Sequence, residues 1–152
     1  MKVIRQSIFE TNSSSTHSIC IADKSSIIDT LPIGPDGICR IYPGEFGWEE
    51  EIYHDAITKA SYCLTHLKNR GLSDSDRLHR EQMLLDVIKN VTKAKRVEFM
   101  EYDDDYYKWG YIDHQSIENN GGAGEPVFSS RESLYNFIFN PKSILVTDND
   151  NH

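Results

Sequence analysis

Two helix-like apolar stripes lie side by side in the middle of the chain, and strand-like runs flank them on both sides. Ile52, Ala56, Ala60, Cys63 and Leu67 recur at spacings of four, four, three and four, which places them on one helical face, and Trp48 extends the stripe by a turn. Gly71 is a natural stop after Arg70. A second helix is predicted from Ser73-Asp74 to about Thr92, carrying Leu78, Leu84, Leu85, Val87, Ile88 and Val91. The two are close enough in sequence to form a hairpin, and their apolar faces need a sheet to cover.

The flanking runs supply that sheet. Segments 2–9 (KVIRQSIF) and 18–23 (SICIAD) are rich in β-formers and read as two strands joined by a polar loop. Pro32, Gly34, Pro35 and Gly37 mark a turn region, and a third strand follows from Ile38 to Tyr42 before Pro43-Gly44. Beyond the helices, Val97 and Phe99 alternate with Glu98 and Met100, and 107–113 is aromatic-rich. These predict two more strands, with 101–105 near the turn between them. Asn119 to Gly124 reads as a flexible glycine-rich loop. Ser129 and Glu132 have the spacing of a capping box, opening a short helix with Leu134, Phe137 and Ile138 that Pro141 ends. A last strand covers 143–147 (SILVT).

The resulting order, β-β-β, α-α, β-β, α, β, defines an α+β class. The expected architecture is a mainly antiparallel sheet with a helical hairpin and a short C-terminal helix packed on it, in a single domain over 1–152. Strands that do not alternate with helices argue against a doubly wound nucleotide fold, and neither GxGxxG nor GxxxxGK[ST] occurs. The apolar fraction is only 38%, but eight Tyr, six Phe and two Trp give enough burial area for a core.

The serine-rich run Asn12-Ser13-Ser14-Ser15-Thr16-His17-Ser18 lies between the first two predicted strands. One or two hydroxyl or amide side chains suffice to close a turn. This run carries far more. Clustered hydroxyls and backbone N–H groups suit a phosphate or carboxylate, Arg5 on the preceding strand offers positive charge, and His17 donates or accepts. The candidate ligand site is therefore Arg5, Asn12, Ser13, Ser14, Ser15, Thr16 and His17, closed on its other side by Asp113, His114 and Gln115. Its expected ligand is a phosphorylated small molecule such as a nucleotide.

Catalysis is the weaker reading. A nucleophilic serine needs a base and an oxyanion donor set, and neither a GxSxG elbow nor SxxK is present. His114-Gln115-Ser116 matches half of the paired His-x-Ser pattern of two-histidine phosphoesterases, but Ile19 stands where His17 would need its hydroxyl partner. A small hydrolase or transferase using His17 or His114 as general acid/base stays open as a third alternative. No HExxH or CxxC spacing occurs, so no cofactor and no metal are expected.

Charge suggests a different partner. The formal net charge is −8, from 24 acidic and 16 basic residues. Two runs, Glu49-Glu50-Glu51 and Asp103-Asp104-Asp105, concentrate the acid. Such a surface repels nucleic acid, so no direct nucleic-acid binding is expected, and it matches a protein with a basic groove. The bland alternative is a solvated, solubilising face. Cys20, Cys39 and Cys63 are too few and too irregular for a disulfide framework, and Cys20 and Cys63 read as core thiols. The opening MKVIRQSIFE lacks the apolar run of a signal peptide, and no segment approaches membrane-spanning length, so a cytoplasmic protein is expected.

The run from Ile4 to Ser18, IRQSIFETNSSSTHS, resembles the opening of small bacteriophage and prophage proteins of Gram-positive hosts. Gly110 to Ser116 and Thr147 to Asp150 look like other recurring segments of that group. The resemblance implies a setting rather than an activity. In that setting counter-defence is a natural class of function, either by binding a nucleotide signal or by inhibiting a host defence nuclease in an anti-CRISPR-like manner.

Overall fold

The computed structural model describes residues 4–7, 15–22, 25–47, 50–69, 71–112 and 126–149. The class is α+β, as the sequence predicts. Among the described residues a four-stranded antiparallel sheet is built from β1 (Ile4–Ser7), β2 (Ser15–Ile21), β5 (Glu51–Tyr53) and β8 (Ile144–Asn149), in the order β1-β2-β8-β5. Two further pairs are parallel, β3 (Ile38–Ile41) with β6 (Arg96–Phe99) and β4 (Glu45–Phe46) with β7 (Tyr111–Ile112). The helices among the described residues are α1 (Ala56–Asn69), α2 (Asp74–Thr92) and α3 (Arg131–Phe139).

The two strands predicted around 97–100 and 107–113 form as β6 and the shorter β7, and they pair with β3 and β4 rather than with each other. Parallel neighbours need a long crossover, and the α1–α2 hairpin supplies one by returning the chain from β3 to lie beside it as β6. With β6 paired to β3 and β7 paired to β4, the segment between them closes on itself instead, through Tyr102 N–H to Lys108 O at 2.8 Å.

The start of α1 also differs from its apolar stripe. Asp55 Oδ2 accepts the Thr58 N–H at 2.8 Å, and Asp29 Oδ2 accepts that of Ala56 at 2.9 Å. These bonds satisfy N–H groups that the first helical turn leaves open and fix its origin at Ala56. Ile52 therefore lies in β5, paired with Val146, and is exposed. From Ala56 onward the stripe holds: Ala56, Ala60, Cys63 and Leu67 are all buried.

Helix α2 starts where predicted, with Ser73 Oγ accepting the Asp76 N–H at 3.3 Å. Burial along it falls on Met83, Leu84, Val87 and Ile88, while Leu78 is exposed. Helix α3 is capped one residue later than predicted. Ser129 is held in a preceding short helical turn by its bond to Pro126 O at 2.7 Å, so Ser130 takes the cap and accepts the Ser133 N–H at 3.0 Å.

One core joins the layers: Ile19, Ile21 and Leu145 from the sheet, Leu64 and Leu67 from α1, Leu84 and Ile88 from α2, and Leu134, Phe137 and Ile138 from α3. Each such side chain contributes about 1.5–3 kcal/mol through burial. All three cysteines are free thiols. Cys39 and Cys63 are buried, and burial pushes both thiols up from their ordinary pKa; Cys20 is half-buried on β2. No described helix is long and apolar enough to cross a membrane.

Candidate functional site

The described part of the serine-rich run is strand. Strand β2 already begins at Ser15, so Ser15, Thr16 and His17 pair with Asn149, Asp148 and Thr147 of β8. Arg5 pairs with Cys20 in the β1–β2 register. Asn12, Ser13, Ser14, Asp113, His114 and Gln115 lie outside the described residues, as do Glu49 and the glycine-rich 119–124 stretch.

His17 has a defined environment, and it is internal. Alternation along β2 turns it inward with Ile19 and Ile21, and it is fully buried. Its Nε2 lies 3.2 Å from Gly47 O, which only accepts, so that nitrogen carries a proton. Its Nδ1 lies 3.1 Å from the Tyr62 hydroxyl. Tyr62 stacks on His66, and His66 on Phe128, forming a column of rings through the core. This is the arrangement of a satisfied buried histidine. His17→Ala should accordingly cost about 2–4 kcal/mol through lost packing and unmade hydrogen bonds. A thermal melt reads this directly; an unchanged melting temperature would contradict the buried placement.

The second acidic run has a definite geometry. Asp104 Oδ1 accepts the backbone N–H of Tyr106 at 2.8 Å and of Tyr107 at 2.7 Å, folding the chain into a turn stabilised by its own side chain. These bonds, Tyr107's first, hold the Asp104 carboxyl below the ordinary carboxylate pKa. The turn is thus strongest above the unfolded value and weakens as pH falls through the lower folded one. Tyr102 anchors the base by donating its hydroxyl to Pro43 O at 2.5 Å. The Tyr107 ring rests on Tyr106 and Tyr111, with centroids 4.8 and 6.3 Å away.

At the tip, Tyr106 is 84% exposed, and Asp103 and Asp105 are exposed beside it. Asp104 is therefore the structural member of the acidic run, leaving Asp103 and Asp105 to face solvent. Glu50 and Glu51 are also exposed, at the start of β5.

The sequence signals both the carboxylates and the aromatic richness of this stretch, but not which tyrosine is held outward. The pattern Asp-x-Tyr-Tyr, with an aspartate positioned to accept the following N–H groups, is the local signal that an aromatic side chain will be held outward. Among the described residues, no three His, Cys, Asp or Glu side chains are grouped to hold a metal ion. Comparison with protein-family models, curated proteins and solved structures gives no match to this chain.

Proposed function

We propose that the chain is a stoichiometric inhibitor that docks its acidic, tyrosine-bearing loop into a basic surface of a partner protein, as a nucleic-acid mimic. The observation that carries this reading is Tyr106, 84% exposed on a turn tied by Asp104, with Asp103 and Asp105 beside it. A preformed loop loses little conformational entropy on binding. Tyrosine combines a large apolar face with a polar tip and is a frequent anchor of interfaces. Carboxylates around it complement a cationic groove and speed encounter. The resemblance to phage and prophage proteins supplies the setting: a bacterial cytoplasm, with a host defence nuclease whose nucleic-acid groove is such a surface.

The test is DNA cleavage by a purified defence nuclease, titrated with the chain at low and high salt. Asp103→Lys with Asp105→Lys, leaving Asp104 to hold the turn, should weaken inhibition at least about tenfold and flatten its salt dependence. Tyr106→Ala should cost a similar factor with the salt dependence retained. Undiminished inhibition by the double lysine variant would remove this reading.

A further inference from the structure

Four of the chain's 16 basic residues fall within positions 89–96 (KNVTKAKR), a stretch with no acid, although the net charge is −8. This segment runs from the last turn of α2 into β6. Arg96 is paired with Glu98 at 2.6 Å, and the Lys95 stem lies against Gly37. Lys89 and Lys93 make no ion pair among the described residues.

These two lysines line a groove of about 430 Å³ together with Asn90 and Asp86. A second groove, of about 470 Å³, adjoins it along the same Asp86 and Asn90 and runs between α2 and α3, over Val87, Val91 and Tyr135. Both grooves are shallow and open to solvent, the lysine-lined one more so. The two grooves differ in chemistry: the first carries Lys89 and Lys93 beside Asp86, and the second adds an apolar wall and an aromatic ring, with Arg131 and Glu132 also lining it. At their junction Asp86 accepts from Gln82 at 2.7 Å and pairs with Arg131 at 3.1 Å, so its carboxylate is held in place.

Lys93 has a further property. It closes α2 in the left-handed conformation, with φ 60° and ψ 23°, and donates its N–H to Lys89 O at 2.9 Å. Glycine is the residue that takes this position without strain. A cation near a helix C-terminus gains from the dipole, which Lys89 in the last turn and Lys93 at the cap both do.

We propose that the adjoining grooves form a site for a nucleoside polyphosphate, with the base against Tyr135, Val87 and Val91 and the phosphates against Lys89 and Lys93. Asp86 and Asn90, between them, are the residue types that hold sugar hydroxyls. The ligand has the same order of parts as the grooves: aromatic, hydroxylated, anionic. His17 lines neither groove, and the proposal is independent of the Tyr106 loop.

Calorimetric titration of the full chain with ATP, GTP, CTP and UTP tests it, with inorganic triphosphate and free nucleosides as half-ligands. At least one nucleotide should bind at least tenfold more tightly than either of its halves. Lys93→Gly should weaken that binding about tenfold while holding or raising the melting temperature, which separates ligand contact from folding. Tyr135→Leu, which keeps an apolar side chain on the core, should weaken nucleotide binding and leave triphosphate binding unchanged. Failure of all four nucleotides to bind at millimolar concentration would overturn the proposal. So would equal affinity for triphosphate and nucleotide, since the lysines would then be a cation patch only. Tighter binding of a thymidine decamer than of any nucleotide, lost in Lys93→Gly, would instead assign the surface to single-stranded nucleic acid.

Discussion

Replacing Lys59 by Ala should lower the melting temperature by roughly 10 °C, from a loss of about 3–5 kcal/mol. Lys59 is fully buried on α1, and its Nζ donates to Asn140 O and Ser143 O, each at 2.9 Å. Those carbonyls lie where α3 ends and the chain turns toward β8. At the same junction Ser143 Oγ accepts the Ala22 N–H at 2.9 Å and donates to Asn136 O at 2.6 Å. One ammonium group thus joins the first helix to the end of the last helix and the start of the last strand. Alanine would leave a cavity and two carbonyls with fewer donors.

The same lysine predicts a pH dependence of definite sign. Burial lowers its pKa from 10.5 to about 8, with Asp29 and Asp55 opposing the shift. Below about pH 8 both folded and unfolded chains hold the proton and the full cost of the buried charge is present. Between about 8 and 10.5 only the unfolded chain holds it, so stability rises with pH, by on the order of 3 kcal/mol over the whole window. Urea unfolding of wild type and Lys59→Met at pH 7, 8, 9 and 9.5 should show a rise in the first that is absent in the second. Parallel curves would mean that Lys59 is not the titrating group.

Gly110→Ala should be comparably damaging, at about 3 kcal/mol or more. Gly110 has φ +72°, and a Cβ there would meet Gly44 O at 2.2 Å. The Gly44 peptide has no room to retreat, because its N–H is bonded to Thr65 Oγ1 at 2.9 Å and its O accepts the Tyr111 N–H at 2.9 Å. Gly37→Ala is the matching control. Its φ is similar, +82°, but the added Cβ meets the Lys95 side chain, which can swing aside. That variant should lose only about 1 kcal/mol, the conformational cost alone. Equal melting temperatures for the two would show that the close approach to Gly44 is not what matters.

Local rules in the sequence were sufficient for much of the fold. The bounds of α2 follow from Ser73 and an apolar pattern, and β3 from a β-rich run between turn residues. What local rules miss is partner choice. Val97 and Phe99 announce a strand, but nothing near them says that it will lie parallel to β3 rather than antiparallel to its successor. Ile52 fits the α1 stripe by spacing, and only the capping of the helix by Asp55 and Asp29 excludes it. The site was less legible for a related reason. The serine-rich run draws attention by composition, yet His17 within it turns inward because β2 starts at Ser15, and its partners Tyr62 and Gly47 are remote in sequence. The acidic run Asp103–Asp105 was visible, but the division of labour between Asp104 and its neighbours depends on a turn that composition does not encode.

Strand β8 lies between β2 and β5, and its pairing with β2 joins residues about 130 positions apart. The sheet therefore has no centre until the last strand has been synthesised. During translation, β1–β2 and β5 wait with open edges while α1 and α2 are already complete in sequence. Closure of the sheet waits for Ile144–Asn149, and until then the strand edges that it will pair are open templates for other strands.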